Sequence, residues 1–233
     1  MKIALIGYGK MGHMIEEVAL SRGHEIVATI DAGEVFDLKG ADVAIEFTTP
    51  LTAKDNILRA WAEGVPVVCG TTGWDVKEFT NERMNELTND GNKTVISRQS
   101  KPMLIWSSNY SVGVNIFFDL NKQLAAAMQA QPQYTPSITE THHIHKLDKP
   151  SGTAKTLAEA IMAFGGWFEA IVRIESIREG EVPGTHEVKW DSEEDTIVIT
   201  HIAKGRRGFA LGAVLAAEQL VRDYTDVVSI TRK

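Results

Sequence analysis

Short apolar runs alternate with amphipathic stretches along the first half of the chain. The apolar runs predict five strands, at residues 2–6, 25–30, 42–47 and 65–69 and around Val95 and Ile96. The stretches between them have the spacing of helices with one apolar face, at residues 14–22, 51–63 and 75–88. Such alternation is typical of a parallel sheet, whose ligands bind beyond the C-terminal ends of its strands.

The pattern changes near residue 107. Four stretches now alternate apolar and polar positions, at residues 137–141, 170–177, 186–190 and 196–201. Helices are predicted at residues 114–127, 153–164 and 209–221. We therefore predict an α/β fold with two domains: a Rossmann-type parallel-sheet domain, and an α+β domain with a mainly antiparallel or mixed sheet. The first domain is predicted to comprise residues 1–109 completed by 208–233, and the second residues 110–207.

Composition excludes several classes of function. A chain of 233 residues that is 43% hydrophobic can bury a sizeable core. The net charge of -7 argues against general nucleic-acid binding, because phosphate backbones attract basic surfaces. One cysteine, Cys69, excludes an internal disulfide, and no apolar run approaches the length of a membrane span. We expect a cytoplasmic protein that binds neither nucleic acid nor a membrane.

The first strand leads directly into a glycine-rich turn of the form G-x-G-x-x-G. Such a turn lets backbone amides approach a pyrophosphate at the positive end of the following helix. The turn consists of Gly7, Tyr8, Gly9, Lys10, Met11 and Gly12. About twenty residues later the second strand ends at Asp31, where a ribose-binding acid is expected, although such an acid can also simply cap a helix. Spacing and element order favour a dinucleotide site, to which Thr48, Gly70, Thr71 and Thr72 would contribute from neighbouring strand ends.

The segment HHIHKLDKPSGT, residues 142–153, places proton-transferring groups beside anion-binding groups. His142 and Lys146 are four residues apart, so either a strand or a helix would put them on one side. Histidine titrates near neutral pH, and a desolvated lysine can act as a general acid. A solvated basic loop and a structural zinc site are the alternatives. Zinc has little support because Cys69 is distant in sequence and no second ligand pair is evident, so no metal is predicted.

Five ordered segments resemble the 4-hydroxy-tetrahydrodipicolinate reductase family, also called dihydrodipicolinate reductases. They are GYGKMG, CGTTGW, SSNYSVGVN, ETHHIHKLDKPSGTA and RRGFALGAV, which together span nearly the whole chain. The resemblance implies an enzyme of diaminopimelate and lysine biosynthesis that uses NADH or NADPH to reduce a cyclic dicarboxylate. It also implies that residues 1–109 with 208–233 are the dinucleotide-binding domain, and that residues 110–207 bind substrate and mediate oligomerisation into a homotetramer through the C-terminal sheets.

The resemblance assigns roles to residues of this sequence. His142 matches the catalytic acid/base and Lys146 the proton donor. The substrate-binding positions are His143, Ser151, Gly152 and Thr153. The cofactor-binding positions are the glycine turn, Asp31, the nicotinamide-side loop Gly70, Thr71 and Thr72, and a segment that closes over the cofactor, namely Ser107, Ser108, Asn109 and Tyr110.

The chain departs from the family pattern beside Asp31. Ala32 stands where many members carry an arginine that can pair with a 2′-phosphate. We therefore expect NADH to be used at least as well as NADPH, with Lys10 the one nearby cation that could favour NADPH. Two other functions remain open at this point: a homoserine- or aspartate-type dehydrogenase of the same layout, and a non-enzymatic NAD-sensing regulator.

Overall fold

A computed structural model describes residues 1–81, 86–89, 93–98, 101–164 and 172–231. The chain forms two compact units. Unit 1 comprises Met1–Ser111 and Phe209–Lys233, and unit 2 comprises Val112–Gly208.

The described residues form the following elements. The strands are β1 (Lys2–Ile6), β2 (Glu25–Ile30), β3 (Val43–Glu46), β4 (Val67–Cys69), β5 (Glu86–Asn89), β6 (Lys93–Arg98), β7 (Lys101–Ser107), β8 (Thr135–His142), β9 (Arg173–Arg178), β10 (Thr185–Asp191) and β11 (Thr196–Ile202). The helices are α1 (Lys10–Ser21), α2 (Ala53–Ala62), α3 (Val76–Asn81), α4 (Val112–Met128), α5 (Gly152–Met162) and α6 (Arg207–Thr231).

Unit 1 contains a seven-stranded sheet of order β2-β1-β3-β4-β7-β6-β5. The pairs from β2 to β7 are parallel, and β6 and β5 add an antiparallel edge. The central strands β3 and β4 are buried at every position, as expected where both faces of a parallel sheet are covered. One face packs on α1 and α6 through Ile15 and Val214, and the other on α2 and α3 through Ile57 and Phe79.

The predicted strand around Val95 and Ile96 is β6, but one prediction for this sheet was wrong and one of its strands was not predicted. The predicted helix at 75–88 ends at Asn81, and Glu86–Asn89 is strand β5; positions 82–85 lie outside the described residues. Strand β7 was not predicted, although it pairs with β4 in the centre of the sheet. The apolar positions of 75–88 fit a helix, but pairing with β6 decides the structure of β5.

Unit 2 contains a four-stranded sheet of order β11-β10-β8-β9. The β11-β10 and β10-β8 pairs are antiparallel, whereas β8 and β9 are parallel and are separated in sequence by α5. Helices α4 and α5 cover one face, where Trp190 and Val188 are fully buried. The predicted strand at 170–177 corresponds to β9, and its first two residues lie outside the described ones.

The predicted fold class, a Rossmann-type parallel-sheet region followed by an α+β region with a mixed sheet, is confirmed. Among the described residues, no helix is both long enough and apolar enough to cross a membrane.

Candidate active site

The glycine turn after β1 has a conformation that side chains would prevent. Gly7 has φ +91°, and a Cβ atom there would lie 2.2 Å from the Phe47 carbonyl oxygen. A Cβ on Gly12 would lie 2.4 Å from the Gly7 carbonyl oxygen. At Gly9, in contrast, no described atom lies within 4 Å of the Cβ position. The first and third glycines therefore allow close packing of the turn, and the second faces open space.

A cavity of about 600 Å³ lies at this open side, at the C-terminal edge of the sheet. Its lining comes from the start of α1 and from the loops after β3 and β4: Gly9, Lys10, Met11, Phe47, Thr48, Pro50, Gly70, Thr71 and Thr72. The first turn of α1 contains no acidic residue, so its positive end is available to an anion. These features fit part of a dinucleotide with its pyrophosphate at the helix start.

Hydrogen bonds hold the two loops of the cavity together. The Thr48 amide donates to Thr71 Oγ1 over 2.8 Å. The indole nitrogens of Trp74 and Trp106 both donate to the Thr71 carbonyl over 2.8 Å. Gly70 is required at its position because a Cβ atom would lie 2.2 Å from the Phe47 ring. The predicted nicotinamide-side loop is thus fixed in place, and sequence reasoning missed both tryptophans.

Tyr8 and Tyr110, two other predicted cofactor residues, lie in unit 1 but do not line the cavity themselves. The Tyr8 hydroxyl donates to Glu16, and its ring lies 4.1 Å from that of His13. Tyr110 is only 4% exposed, and its hydroxyl contacts the carbonyls of Cys69 and Ile105 at 2.9 Å.

The predicted closing segment, residues 107–110, folds on itself after β7. Ser107 Oγ donates to the Asn109 carbonyl over 2.9 Å, and Asn109 Oδ1 accepts from the Ser111 amide, while Ser108 is exposed. These hydrogen bonds give the segment a defined turn.

Asp31 follows β2 and is exposed, as a ribose-binding acid must be. Its Oδ1 accepts from the Ala32 amide over 2.9 Å. Its own amide donates to Glu34 Oε2 over 2.7 Å, so a second carboxylate lies at the same turn. Sequence reasoning missed Glu34, although the Asp-Ala-Gly-Glu order is typical of a tight turn. Two carboxylates here disfavour a 2′-phosphate more strongly than Asp31 alone.

In unit 2, three ionisable side chains meet at the inner face of the sheet. Glu140 and His142 lie two residues apart on β8, and His186 on β10 is the cross-strand partner of Glu140. All three are buried. Glu140 Oε2 lies 3.3 Å from His142 Nδ1 and 3.7 Å from His186 Nε2. The two imidazole rings are 5.0 Å apart in an edge-on arrangement.

Glu140 remains ionised in this cluster. Burial raises its pKa, but hydrogen bonds from Ser151, Ser176 and Arg178 outweigh that effect and lower the pKa to about 2. Its Oε1 accepts from the Ser151 amide and from Arg178 Nη2, both over 3.1 Å. Sequence reasoning missed Glu140 and Arg178. The even spacing of Glu140 from His142 was the signal for the first, whereas nothing in the sequence indicated the second.

Burial lowers the pKa of both histidines. The pKa of His142 falls because burial disfavours the imidazolium, with Glu140 opposing that shift. The pKa of His186 falls to about 4, again chiefly through burial. His186 Nε2 also contacts Ser151 Oγ at 3.2 Å, which joins the cluster to the start of α5. Both rings are therefore mainly neutral at pH 7.

The prediction that one strand or one helix places His142 and Lys146 on the same side was wrong, because no single element contains both residues. Strand β8 ends at His142, and the chain then turns, with the Lys146 amide donating to the His143 carbonyl over 3.1 Å. The Lys146 ammonium nevertheless helps to lower the pKa of His142, after the larger effect of burial. Lys146 Nζ pairs with Asp148 Oδ1 at 2.8 Å, whereas His145 contacts Glu181 at the surface.

The predicted substrate-binding turn lies at the start of α5. Ser151 is the N-cap residue, and its hydroxyl accepts from the Ala154 amide over 3.2 Å. The first amides of a helix have no partner within the helix, so those of Gly152 and Thr153 can bind an anion. A Cβ atom on Gly152 would meet no described atom within 4 Å. The anion-binding turn thus adjoins the buried cluster through Ser151.

Glu140, His142 and His186 could also hold a metal ion, since their ligand atoms all lie within 4.8 Å of one another. Sequence reasoning did not anticipate this set. However, Arg178 already places a cation on the same carboxylate, which weakens the case for a metal ion there.

These features define a class of protein. Unit 1 has a parallel sheet with a glycine turn at the C-terminal edge of its strands. Unit 2 places ionisable groups beside a helix start that can bind an anion. This combination is typical of a nicotinamide-dependent oxidoreductase. Two family descriptions match the chain: "Dihydrodipicolinate reductase, N-terminus" over residues 1–100 and "Dihydrodipicolinate reductase, C-terminus" over residues 113–232. The chain therefore belongs to the dihydrodipicolinate reductase family.

Individual relatives support this family assignment. A 4-hydroxy-tetrahydrodipicolinate reductase of Christiangramia forsetii is 43% identical over 99% of this chain and 96% of its own length. One from Staphylococcus aureus is 34% identical over 95% of each chain. A structure described as dipicolinate-bound dihydrodipicolinate reductase from Paenisporosarcina sp. TG-14 has a TM-score of 0.71, covers 95% of both chains and is 19% identical, so it supports the fold alone.

The family assignment confirms the predictions of a reductase and of NADH or NADPH as its cofactor. It does not favour the alternatives of a homoserine- or aspartate-type dehydrogenase or of an NAD-sensing regulator.

Proposed function

We propose that this protein reduces 4-hydroxy-tetrahydrodipicolinate, also described as dihydrodipicolinate, to tetrahydrodipicolinate in diaminopimelate and lysine biosynthesis. The observation that carries the proposal is the junction of the buried histidine cluster with the start of α5. One oxygen of Glu140 is bound by the Ser151 amide, and the other faces His142. Proton-transferring and anion-binding groups are thereby joined within one segment that resembles the family motif.

The substrate is a dicarboxylate, so its binding site needs hydrogen-bond donors and positive charge. The amides of Gly152 and Thr153 supply donors at the positive end of α5, and the Thr153 hydroxyl adds another. We assign one carboxylate to this turn and the other to His143 and Lys146. Ser151 contributes indirectly, because its hydroxyl caps α5 and contacts His186.

When bound, the dinucleotide supplies hydride to the ring. The protein must then provide a proton as negative charge develops on the substrate. Lys146 Nζ is the proposed donor, and Asp148 holds it at 2.8 Å. His142 is the proposed acid/base. Its Nδ1 lies 3.3 Å from the Glu140 carboxylate, which stabilises the imidazolium whenever the ring takes up a proton, and Nε2 is the proposed point of proton exchange with the ligand.

On the cofactor side, we propose that Gly7 to Gly12 hold the pyrophosphate and Asp31 the ribose hydroxyls, with the loop Gly70, Thr71 and Thr72 at the nicotinamide end. Support comes from the cavity that the turn and this loop share. Tyr8 and the segment 107–110 are proposed to complete the cofactor site. NADH should be used at least as well as NADPH, because Glu34 adds a second negative charge beside Asp31 and leaves Lys10 as the proposed compensating cation.

Assembly and location are also proposals. Unit 1 is proposed to bind the dinucleotide, and unit 2 to bind substrate and to form a cytoplasmic homotetramer. The face of the four-stranded sheet opposite α4 and α5 carries exposed apolar side chains, including Val198 and Ile202 at 46% and 65% exposure. Light scattering after size exclusion tests this proposal: Val198→Lys should reduce the mass from tetramer toward smaller species, whereas a monomeric wild type would contradict it.

The function is tested by the loss of NADH absorbance with freshly generated 4-hydroxy-tetrahydrodipicolinate. Oxidation of NADH that requires this substrate is expected, and dipicolinate should inhibit competitively because it carries the same pair of carboxylates. Aspartate semialdehyde serves as the control substrate. If it supported faster oxidation than the dicarboxylate, a different reductase activity would be indicated.

A further inference from the structure

Glu46 is a fully buried carboxylate at the C-terminal end of β3. It pairs in register with Cys69 at the end of β4. Both positions lie at the sheet edge where the cavity opens, since the residues that follow, Thr48 and Gly70, belong to the cavity lining. A buried acid at this edge has no role in the chemistry assigned to unit 2.

Among the described residues, the hydrogen bonds to the Glu46 carboxylate come from neutral donors. Oε1 accepts from the Thr48 amide over 3.1 Å and from the Thr48 hydroxyl, and Oε2 accepts from Cys69 Sγ over 2.9 Å. An ionised carboxylate only accepts hydrogen bonds, so these contacts match the charged form.

No positive group compensates this charge within the part of the chain that the structure describes, where no lysine, arginine or histidine forms an ion pair with Glu46. Burial raises the pKa of the Cys69 thiol and of the Tyr110 hydroxyl, so both neighbours remain neutral. The ionised form of Glu46 would therefore place one negative charge, shielded from solvent, behind the cavity wall.

Sheet order indicates which end of a dinucleotide reaches this wall. The pyrophosphate of a dinucleotide lies at the glycine turn after β1, and its adenosine ribose lies at the acid after β2. Strands β3 and β4 are on the other side of β1 from β2. The nicotinamide end must therefore extend toward Thr48 and Thr71, whose hydrogen-bonded loops lie in front of Glu46.

We propose that Glu46 stabilises the positively charged, oxidised nicotinamide ring relative to the neutral, reduced ring. This inference rests on the proposed dinucleotide site. Loss of hydride converts the neutral dihydronicotinamide into a cation, so a fixed negative charge in a low-dielectric environment favours hydride release. Glu46 does not touch the ring and acts electrostatically through the cavity wall. It is separate from the groups that are proposed to touch substrate.

The deciding experiment compares the affinities of NAD⁺ and NADH. Glu46→Gln keeps the size of the side chain and an acceptor for Thr48 but removes the charge. We expect the ratio Kd(NAD⁺)/Kd(NADH), measured by calorimetry and nicotinamide fluorescence, to rise about tenfold, or about 1.4 kcal/mol. ADP-ribose, which lacks the ring, should bind the variant and the wild type equally.

Glu218→Gln is the matched control. It makes the same change in side chain and net charge within unit 1, but Glu218 pairs with Arg22 and His24 just beyond the C-terminal end of α1, about 18 Å along that helix from Gly9. Its affinity ratio should equal that of the wild type. A rise in both variants would assign the effect to net charge and overturn the proposal.

The remaining outcomes are also distinct. If Glu46→Gln weakened ADP-ribose, NADH and NAD⁺ alike, Glu46 would serve only to join the two loops, and the inference would fail while the cofactor site stood. If the wild type bound none of the three, the cofactor site itself would be wrong. If Glu46→Gln does not fold, the Kd values of NAD⁺ and NADH for the wild type decide the question. A wild type that binds NADH at least tenfold more tightly than NAD⁺ would contradict the proposal that Glu46 favours the cationic ring.

Discussion

The candidate cofactor site in unit 1 and the histidine site in unit 2 are built by different means. At the cofactor site the backbone forms much of the surface, and Gly7, Gly9 and Gly12 matter because they lack side chains. At the histidine site, side chains form the surface, and Glu140 and His142 matter for their charge and proton affinity. The first site is therefore sensitive to added atoms, and the second to the loss of a charge.

The largest expected effect follows from removing a proton-transferring group. His142→Gln and Lys146→Ala should each lower kcat by about 10² to 10⁴, the usual contribution of general acid–base catalysis, with the Kd for NADH within about twofold of the wild type. Steady-state kinetics and NADH fluorescence measure the two quantities. The control is His145→Gln, because His145 is exposed, pairs with surface Glu181 and has no proposed role in proton transfer. Its ring lies 6.0 Å from that of His143, so KM could shift slightly, but kcat should stay near that of the wild type. Normal turnover in both site variants would remove the proposed roles.

Added methyl groups should separate folding from binding at the glycine turn. Gly7→Ala forces a Cβ atom to 2.2 Å from the Phe47 carbonyl at positive φ, and should lower the free energy of unfolding by about 2 to 5 kcal/mol. Gly9→Ala places its methyl group more than 4 Å from every described atom outside its own chain neighbours and should keep its stability, but the added group should weaken NADH binding at least tenfold because Gly9 lines the cavity. Denaturant titration and calorimetry check the pair. Equal stability loss in both variants would contradict the assigned turn geometry.

The histidine cluster should make stability depend on pH. The pKa of His186 is about 4 when folded and near 6.5 when unfolded, so the unfolded state binds the proton first as pH falls. Its contribution is therefore complete above pH 6.5 and is lost between pH 6.5 and 4, by about 3 kcal/mol at most.

The measurement is thermal unfolding from pH 8 to 4.5, which avoids the range where protonation of Glu140 takes over. His186→Gln should flatten the dependence. Some slope should persist, because burial also lowers the pKa of His142 and His201. An unchanged slope in the variant would show that His186 titrates normally.

The smallest expected effect concerns cofactor choice. Ala32→Arg places a guanidinium beside Asp31 and Glu34, and should raise the NADPH/NADH ratio of kcat/KM about tenfold by pairing with a 2′-phosphate. Ala32→Met provides a long side chain without charge and should leave the ratio near that of the wild type. A wild type that strongly prefers NADPH would contradict the claim that the carboxylates after β2 disfavour a 2′-phosphate.

Much of the fold could be predicted because its signals are local. The buried runs of β1, β3 and β4 and the glycine turn follow from residues adjacent in sequence. The errors occurred where pairing with another strand decides the structure. The sequence of β5 predicts a helix, but the segment forms a strand that pairs with β6. The sequence contains no clear signal for β7, which pairs with β4.

The sequence by itself determined the family, the turns that begin α1 and α5, and the presence of His142 and Lys146 in one short segment. Only the tertiary structure decided that Glu140 pairs with His186, 46 residues away, and that Glu46 lies against Cys69 beneath the cavity. Turns and helix starts depend on residues that are neighbours in sequence, so the local sequence predicts them. Buried charge clusters depend on the register between strands, which is set by packing of the whole unit.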